Sequence, residues 1–289
     1  MHITVTGATG FVGQHLLGSL LDRGDSVRGL LRRPGDERLP EHVDGRVAPL
    51  ETLRPADVEG SDAIVHLAAA TGGDIDELRR SNRDGTGAVV RAAVRAGVPR
   101  LIHLSTAAVY DLGALGDIEV GEDAPLRTRG RPYGVTKAEA EQELEVARQA
   151  GLTVVVLRPS AVLGTGPTST WGTRVPTGIL QGRPRPMSPA ATRAWIHIAD
   201  LTTALVAGLE VESSVISHAV AGHTTVGAYL DHVGRMLGIE PDVPPEDGDP
   251  WRGRFSTNRL LDELKVSPTV DFDSAMDEIA RWWQDHRAS

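Results

Sequence analysis

Two side chains able to move a proton lie one helical turn apart in Tyr133-Gly-Val-Thr-Lys137. In a helix that spacing puts both on one face. A free phenol has a pKa near about 10 and exchanges protons poorly at neutral pH, whereas a neighbouring ammonium favours the phenolate and lowers that value. The pair suits general acid–base work on an oxygen atom. Hydroxyls close an apolar run in Leu104-Ser105-Thr106-Ala-Ala-Val-Tyr110, where Thr106 or Ser105 could hydrogen-bond that oxygen. Tyr-x-x-x-Lys by itself also fits an ordinary helix surface, so the elements around it decide.

The pair opens a helix expected over Val135 to Ala150, and the hydroxyls end a strand expected over Leu101 to Ser105. Open parallel sheets collect ligands at such strand ends. The chain begins in the same manner. His2-Ile-Thr-Val-Thr6 reads as a strand, followed by Gly7-Ala-Thr-Gly10-Phe-Val-Gly13 and an apolar helix expected from Gly13 to Leu21. Gly7 permits a tight turn, Gly10 lets backbone approach a pyrophosphate, and Gly13 lets the helix lie close to the sheet. The helix N-terminus then offers free N–H groups and partial positive charge to phosphates. A dinucleotide cofactor is expected, and an oxidised nicotinamide would add positive charge beside Tyr133.

The second strand indicates which nucleotide. Gly24-Asp-Ser-Val-Arg-Gly-Leu-Leu31 ends on Leu31, where an NAD site would place an acid on the ribose hydroxyls, and Arg32 and Arg33 follow. A guanidinium gives a 2′-phosphate a charge-assisted partner. NADP(H) is therefore expected ahead of NAD(H), with no acid in competition.

At 289 residues the chain has room for one large α/β domain or a nucleotide domain with a smaller lobe. The net charge of −9 argues against a nucleic-acid surface. Cysteine is absent, which excludes disulfides, thiolate zinc sites and cysteine nucleophiles. With no basic or apolar leader pattern before the first strand and no apolar run of membrane-spanning length, no leader is expected, and a soluble cytoplasmic protein without a membrane partner is expected. The scattered histidines give no metal cluster; His66 and His197 are expected to pack and hydrogen-bond within strands. Trp282-Trp283 is expected to dock a terminal helix on its own core.

Strands expected over Val43 to Leu50, Ala63 to Leu67 and Val154 to Leu157 alternate with helices such as Gly85 to Ala96. The fold class is α/β, a doubly wound parallel sheet. Residues 1–160 would form the nucleotide domain and 161–289 a smaller, mostly helical substrate lobe, with about 190–212 returning to the first domain. In the second part, loops around Gly164-Thr-Gly-Pro167, Gly182 to Pro186 and Pro241 to Pro250 separate helices expected over Asp200 to Val211, Val226 to Leu237 and Ser274 to His286.

Several motifs together resemble the extended short-chain dehydrogenases/reductases, the NAD-dependent epimerase/dehydratase family. They are Thr6-Gly-Ala-Thr-Gly-Phe-Val-Gly13, His66-Leu-Ala-Ala69, Asn82-Arg-Asp-Gly-Thr86, Ser105-Thr-Ala-Ala-Val-Tyr110, Tyr133 with Lys137, Leu157-Arg-Pro-Ser160 and Arg193-Ala-Trp-Ile-His-Ile-Ala-Asp200. The resemblance implies that Tyr133 is the general acid/base, that Thr106 polarises the substrate carbonyl, and that Lys137 holds the ribose while lowering the tyrosine pKa. It implies cofactor contacts from Gly7, Thr9, Gly10, Phe11, Val12, Gly13, Leu50, Leu67, Ala68, Ala69 and Pro159, besides Arg32, Arg33, Tyr133 and Lys137.

The chain also departs from the family pattern. Ala48-Pro49-Leu50 replaces the usual Asp that holds the adenine amino group, so that contact is expected to be absent or made by backbone. Arg193 stands where nucleotide-sugar members grip a diphosphate. Their second arginine is replaced by Glu246-Asp247 before Gly248-Asp249, leaving Arg252 or Arg254 to substitute. Dehydratases usually carry Asp-Glu where this chain has Ala107-Ala108, and alanine cannot move a proton. The expected activity is reduction of a carbonyl by NADPH, in a nucleotide-linked 4-keto-sugar or a secondary-metabolite ketone. Alternatives are an epimerase with retained cofactor and a non-catalytic NADP-binding regulator. The expected partner is a small molecule, approached by Arg193, Trp171 and Trp195, and a homodimer is left open.

Overall fold

Short runs of buried aliphatic residues build the centre of the molecule. The computed structural model describes residues 1–36 and 38–286. Its strands are β1 (His2–Thr6), β2 (Ser26–Leu31), β3 (Asp44–Val47), β4 (Ala63–His66), β5 (Arg100–Leu104), β6 (Glu119–Val120), β7 (Thr153–Pro159), β8 (Ala161–Leu163), β9 (Thr192–His197), β10 (Val215–Ala219), β11 (Gly222–Thr225) and β12 (Arg254–Phe255). Its helices are α1 (Phe11–Asp22), α2 (Ile75–Arg79), α3 (Gly85–Ala96), α4 (Leu112–Leu115), α5 (Pro132–Gln149), α6 (Val175–Leu180), α7 (Ile198–Ala207), α8 (Val226–Leu237), α9 (Asn258–Asp262) and α10 (Phe272–His286).

Seven strands pair in parallel in the order β3-β2-β1-β4-β5-β7-β10. Alternation along each strand feeds two cores. In β7, Val155 and Leu157 join Ile3, Val5 and Ile102 under α1 and α7, while Val154 and Val156 join Ile64 and Leu101 under α3 and α5. Each such side chain contributes about 1.5–3 kcal/mol when fully buried. Strand order reverses between β1 and β4, which opens a crevice beyond their carboxyl ends. Residues after β7 build a second layer: β8 and β11 flank β9, and α6, α8 and α10 cover them through Val175, Ile179, Tyr229, Val233, Met276 and Ile279. The chain returns to the main sheet through α7, which packs on α1, and through β10 at its edge. Among the described residues no helix is long and apolar enough to cross a membrane.

Two element boundaries differ from the sequence reading in ways that affect the site. Helix α1 begins at Phe11 rather than Gly13, so Gly10 is its N-cap. Helix α5 begins at Pro132 rather than Val135, because proline is already set for the first helical position, and Tyr133 thus lies in the first turn. Strand β3 is also shorter than expected, since Pro49 lacks the N–H a continuing ladder needs.

Candidate active site

The glycine turn joins β1 to α1 at the crevice. Gly7 adopts φ 68°, and a Cβ there would stand 2.8 Å from the Ala68 nitrogen, so backbone from β1 and from the end of β4 meet without a side chain between them. At Gly13 a Cβ would lie 2.2 Å from the Gly7 oxygen, closer than any real contact. Among the described residues no side chain caps α1, which leaves its first-turn N–H groups for another acceptor. This cradle suits a pyrophosphate.

Beside it, α5 delivers the acid–base pair. Tyr133 is half-buried, and its phenol is hydrogen-bonded to Thr106 at the end of β5. Gly134 makes that approach possible: a Cβ there would stand 2.2 Å from the Ala108 oxygen, so only glycine lets the first turn of α5 lie against the 107–109 turn. Burial raises the phenol pKa, and the Thr106 hydrogen bond opposes that rise. The expected lowering by Lys137 is not found. The Lys137 ammonium turns instead to the Leu104 carbonyl oxygen at 2.7 Å and to His103 Nε2 at 3.1 Å. Burial brings Lys137 down to about 8, with the Glu141 charge acting against it.

Thr106 and Ser105, interchangeable by sequence, part company here. Ser105 points inward and donates to Glu141 Oε1, whereas Thr106 faces Tyr133 and accepts from the Ala108 N–H. Glu141 also takes two hydrogen bonds from Arg158, at 3.0 and 2.6 Å, and both side chains are buried. Arg158 continues to the Tyr110 hydroxyl and the Glu122 carbonyl oxygen. A paired buried network of this kind holds the ends of β5 and β7 in one geometry.

Two polar bridges brace the other side. Thr86 donates its only hydroxyl proton to the Asn82 carbonyl oxygen, so it accepts from His66 Nε2; His66 Nδ1 is then bare and accepts from Thr6. Thr6 in turn accepts from the Ala68 N–H. Burial and the Lys137 charge push His66 down to about 3, which keeps it neutral. Asn82 holds both backbone groups of Ala70 and donates to Thr136 in α5. The loop after β4 is thereby tied to the helix that carries Tyr133 and Lys137. His197 caps α7 by accepting from the Ala199 N–H.

At the far end of the crevice lies a cavity of about 730 Å³. Of the expected cofactor residues, Gly7, Thr9, Arg32, Arg33, Leu50, Ala68 and Ala69 line it. Gly10, Phe11, Val12 and Gly13 form the adjoining helix start, Leu67 packs against the core, and buried Pro159 ends β7. Sequence reasoning missed Asp36, Arg38, Glu51, Arg80 and Ser81, which also line the cavity. Asp36 corrects the expectation that no acid competes at this end. It is hydrogen-bonded to Thr9 and held down to about 2, chiefly by its two hydrogen bonds from the Arg38 guanidinium. Arg38 therefore neutralises it.

The expected substrate residues separate. The Arg193 guanidinium lies 4.4 Å over the Trp171 ring, which packs edge-on against Tyr229. Arg193 Nε is buried and has no hydrogen-bond partner among the described residues, and burial lowers its pKa to about 10. Trp195 instead belongs to the second-layer core, where it packs against Phe272. Arg252 and Arg254, the sequence candidates for a second cation, face Asp117 and Glu119. Arg131 lies closer, repelling the Arg193 charge and pairing with Glu246. Trp283 docks α10 by donating to the Gly172 carbonyl oxygen.

The glycine cradle, the Tyr133–Thr106 contact and buried Lys137 match the motifs read from sequence. The family model described as the NAD dependent epimerase/dehydratase family matches residues 3–221. The chain belongs to that family. Its relatives in this epimerase/dehydratase family differ in activity. A dTDP-glucose 4,6-dehydratase from Streptomyces niveus is 28% identical, over 100% of this chain and 94% of its own length. A ketoreductase from Stigmatella aurantiaca acting on 4-hydroxy-2-methyl-3-oxo-4-farnesyl-3,4-dihydroquinoline-1-oxide is 36% identical, but the match spans 58% of this chain and 52% of that relative. Among solved structures, MoeE5 in complex with UDP-glucose and NAD aligns over 100% of both chains with a TM-score of 0.83 and 25% identity. The Thermotoga maritima UDP-glucose 4-epimerase, with a TM-score of 0.85 at 20% identity, shares the fold. The chain is thus an NAD(P)-dependent enzyme of the extended short-chain dehydrogenase/reductase type, and a pyridine nucleotide is its cofactor class.

Proposed function

We propose that the protein is an NADPH-dependent ketoreductase. The observation that carries this reading is the group of arginines, Arg32, Arg33, Arg38 and Arg80, lining the cavity beyond the glycine turn. A 2′-phosphate gains charge-assisted hydrogen bonds in such surroundings, and Arg38 leaves Asp36 without net repulsion toward it. Gly7, Gly10 and the start of α1 would receive the pyrophosphate, and Lys137 the nicotinamide ribose. When bound, the reduced nicotinamide supplies a hydride. Thr106 would hydrogen-bond the substrate carbonyl oxygen, and Tyr133, which its raised pKa keeps protonated at neutral pH, would supply the proton.

Arg193, stacked on Trp171 with an Nε that has no hydrogen-bond partner among the described residues, favours a substrate bearing an anionic group, and a nucleotide-linked 4-keto-sugar is the first class to test. The sites of proton transfer that dehydration would need are alanines, Ala107 and Ala108. A second reading, an epimerase that retains its cofactor, is favoured by Asp36 at the ribose end and by NAD in the complex of MoeE5. Incubation with NADPH and a panel of keto-substrates separates the two. A reductase consumes one NADPH per product, whereas an epimerase interconverts sugars with no net change in added nucleotide.

A further inference from the structure

His103 is the penultimate residue of β5, behind the acid–base pair, and neither the sequence motifs nor the proposed chemistry uses it. Its ring is fully buried. Lys137 Nζ approaches His103 Nε2 at 3.1 Å and the Leu104 carbonyl oxygen at 2.7 Å. A charged ammonium can only donate, so His103 Nε2 must accept and its proton must reside on Nδ1. That Nδ1 is buried without a hydrogen-bond partner among the described residues. Leaving a buried polar group unsatisfied is destabilising, a cost that an aliphatic residue in this strand would avoid. What the histidine gains is its hold on Lys137.

We propose that His103 is a positioning residue that holds the Lys137 ammonium by accepting its N–H at Nε2, and so sets the pH range over which Lys137 stays charged. Among the described residues the groups facing Lys137 are few. From β5 come His103 and the Leu104 carbonyl oxygen; from α5 the Glu141 carboxylate, which favours the charged lysine; and from β4 His66, whose ring lies 5.2 Å from that of His103. Burial opposes the charge. His66 is committed to Thr6 and Thr86, so among the described residues His103 is the side-chain acceptor left to hold the ammonium on its strand side. Losing that acceptor should lower the proton affinity of Lys137 about tenfold. The inference rests on the proposed role of Lys137 only for its catalytic consequence.

Composition makes the test direct, because Lys137 and Lys265 are the chain's two lysines and Lys265 is exposed. Protein labelled with carbon-13 at lysine Cε gives two signals to titrate, with Lys265 as internal reference, and needs neither cofactor nor substrate. His103→Leu should move the Lys137 titration to lower pH by about one unit, while His103→Gln, whose carboxamide oxygen can accept, should stay within a few tenths of the unaltered protein. An unchanged Lys137 titration in folded His103→Leu overturns the proposal. If the leucine variant does not fold, nitrogen-15 shifts of the His103 ring in the unaltered protein decide, assigned by their loss in His103→Gln. A protonated Nδ1 and bare Nε2 at neutral pH support the proposal, and a protonated Nε2 overturns it. Failure to reduce any ketone would sink the ketoreductase reading and leave these results as they stand.

Discussion

Thr106 and Tyr133 are hydrogen-bonded to each other across the gap between the end of β5 and the first turn of α5, and Gly134 is what lets the two elements close that gap. Adding a methyl group at Gly134 must push α5 away from the Ala108 carbonyl oxygen. Gly134→Ala is therefore expected to lower turnover by about a hundredfold, comparable to the loss of one hydrogen-bond donor at a reacting oxygen. Thr106→Ala should do the same with less effect on folding. Steady-state kinetics with thermal melts of both variants check this.

Cofactor choice should respond to the arginines. NADPH is expected to bind more tightly than NADH, and Arg32→Asp to reverse much of that preference by replacing attraction with repulsion. Arg38→Ala tests the neutralisation of Asp36. With the carboxylate freed, the affinity for NADPH should fall and that for NADH should hold. Fluorescence titration of each nucleotide reads both effects.

Stability should fall as the medium turns acid, earlier than carboxylates alone would dictate. The folded pKa of His66 is depressed to about 3 from the ordinary 6.5, and His103 also lies well below its ordinary value. The unfolded chain therefore takes up protons below pH about 6.5 that the folded chain refuses, and stability is lost as pH falls from there toward about 3. His66 alone costs about 2 kcal/mol by pH 5, and His103 adds to the loss in the same direction. Urea unfolding at pH 7.5 and 5 measures the loss, and His66→Asn should reduce it.

Arg193 gives a prediction about substrate. UDP or dTDP should bind the NADP-saturated protein, more weakly as salt is added, and Arg193→Ala should abolish the heat of binding. Calorimetry with no heat at high nucleotide concentration would point to a neutral ketone instead.

Much of the fold was legible in the sequence because its signals are local. Apolar runs between turn residues marked the strands, and α3 and α8 appear with the expected bounds. The glycine turn and the Tyr133–Lys137 spacing were likewise local. What escaped depends on contacts distant in sequence. Ser105 and Thr106 differ only because Glu141 waits on one side and Tyr133 on the other. Trp195 could be assigned to the core only once Phe272 was seen to pack on it. Arg38 and Arg80 reach one cavity from segments that no short motif connects. The glycine in Tyr133-Gly134 was the one available signal left unread, since a glycine in a helix's first turn points to a close neighbour.

On the proposed function Tyr133 donates the proton in a reduction that consumes NADPH. Tyr133→Phe keeps the ring and removes only the hydroxyl, so NADPH affinity should stay within about twofold of the unaltered protein while NADPH consumption with a keto-substrate falls at least about a hundredfold. Both quantities come from one preparation, by fluorescence titration and by absorbance at the reduced nicotinamide band. A Tyr133→Phe protein that binds NADPH normally and still reduces the substrate at a near-normal rate would rule out Tyr133 as the proton donor.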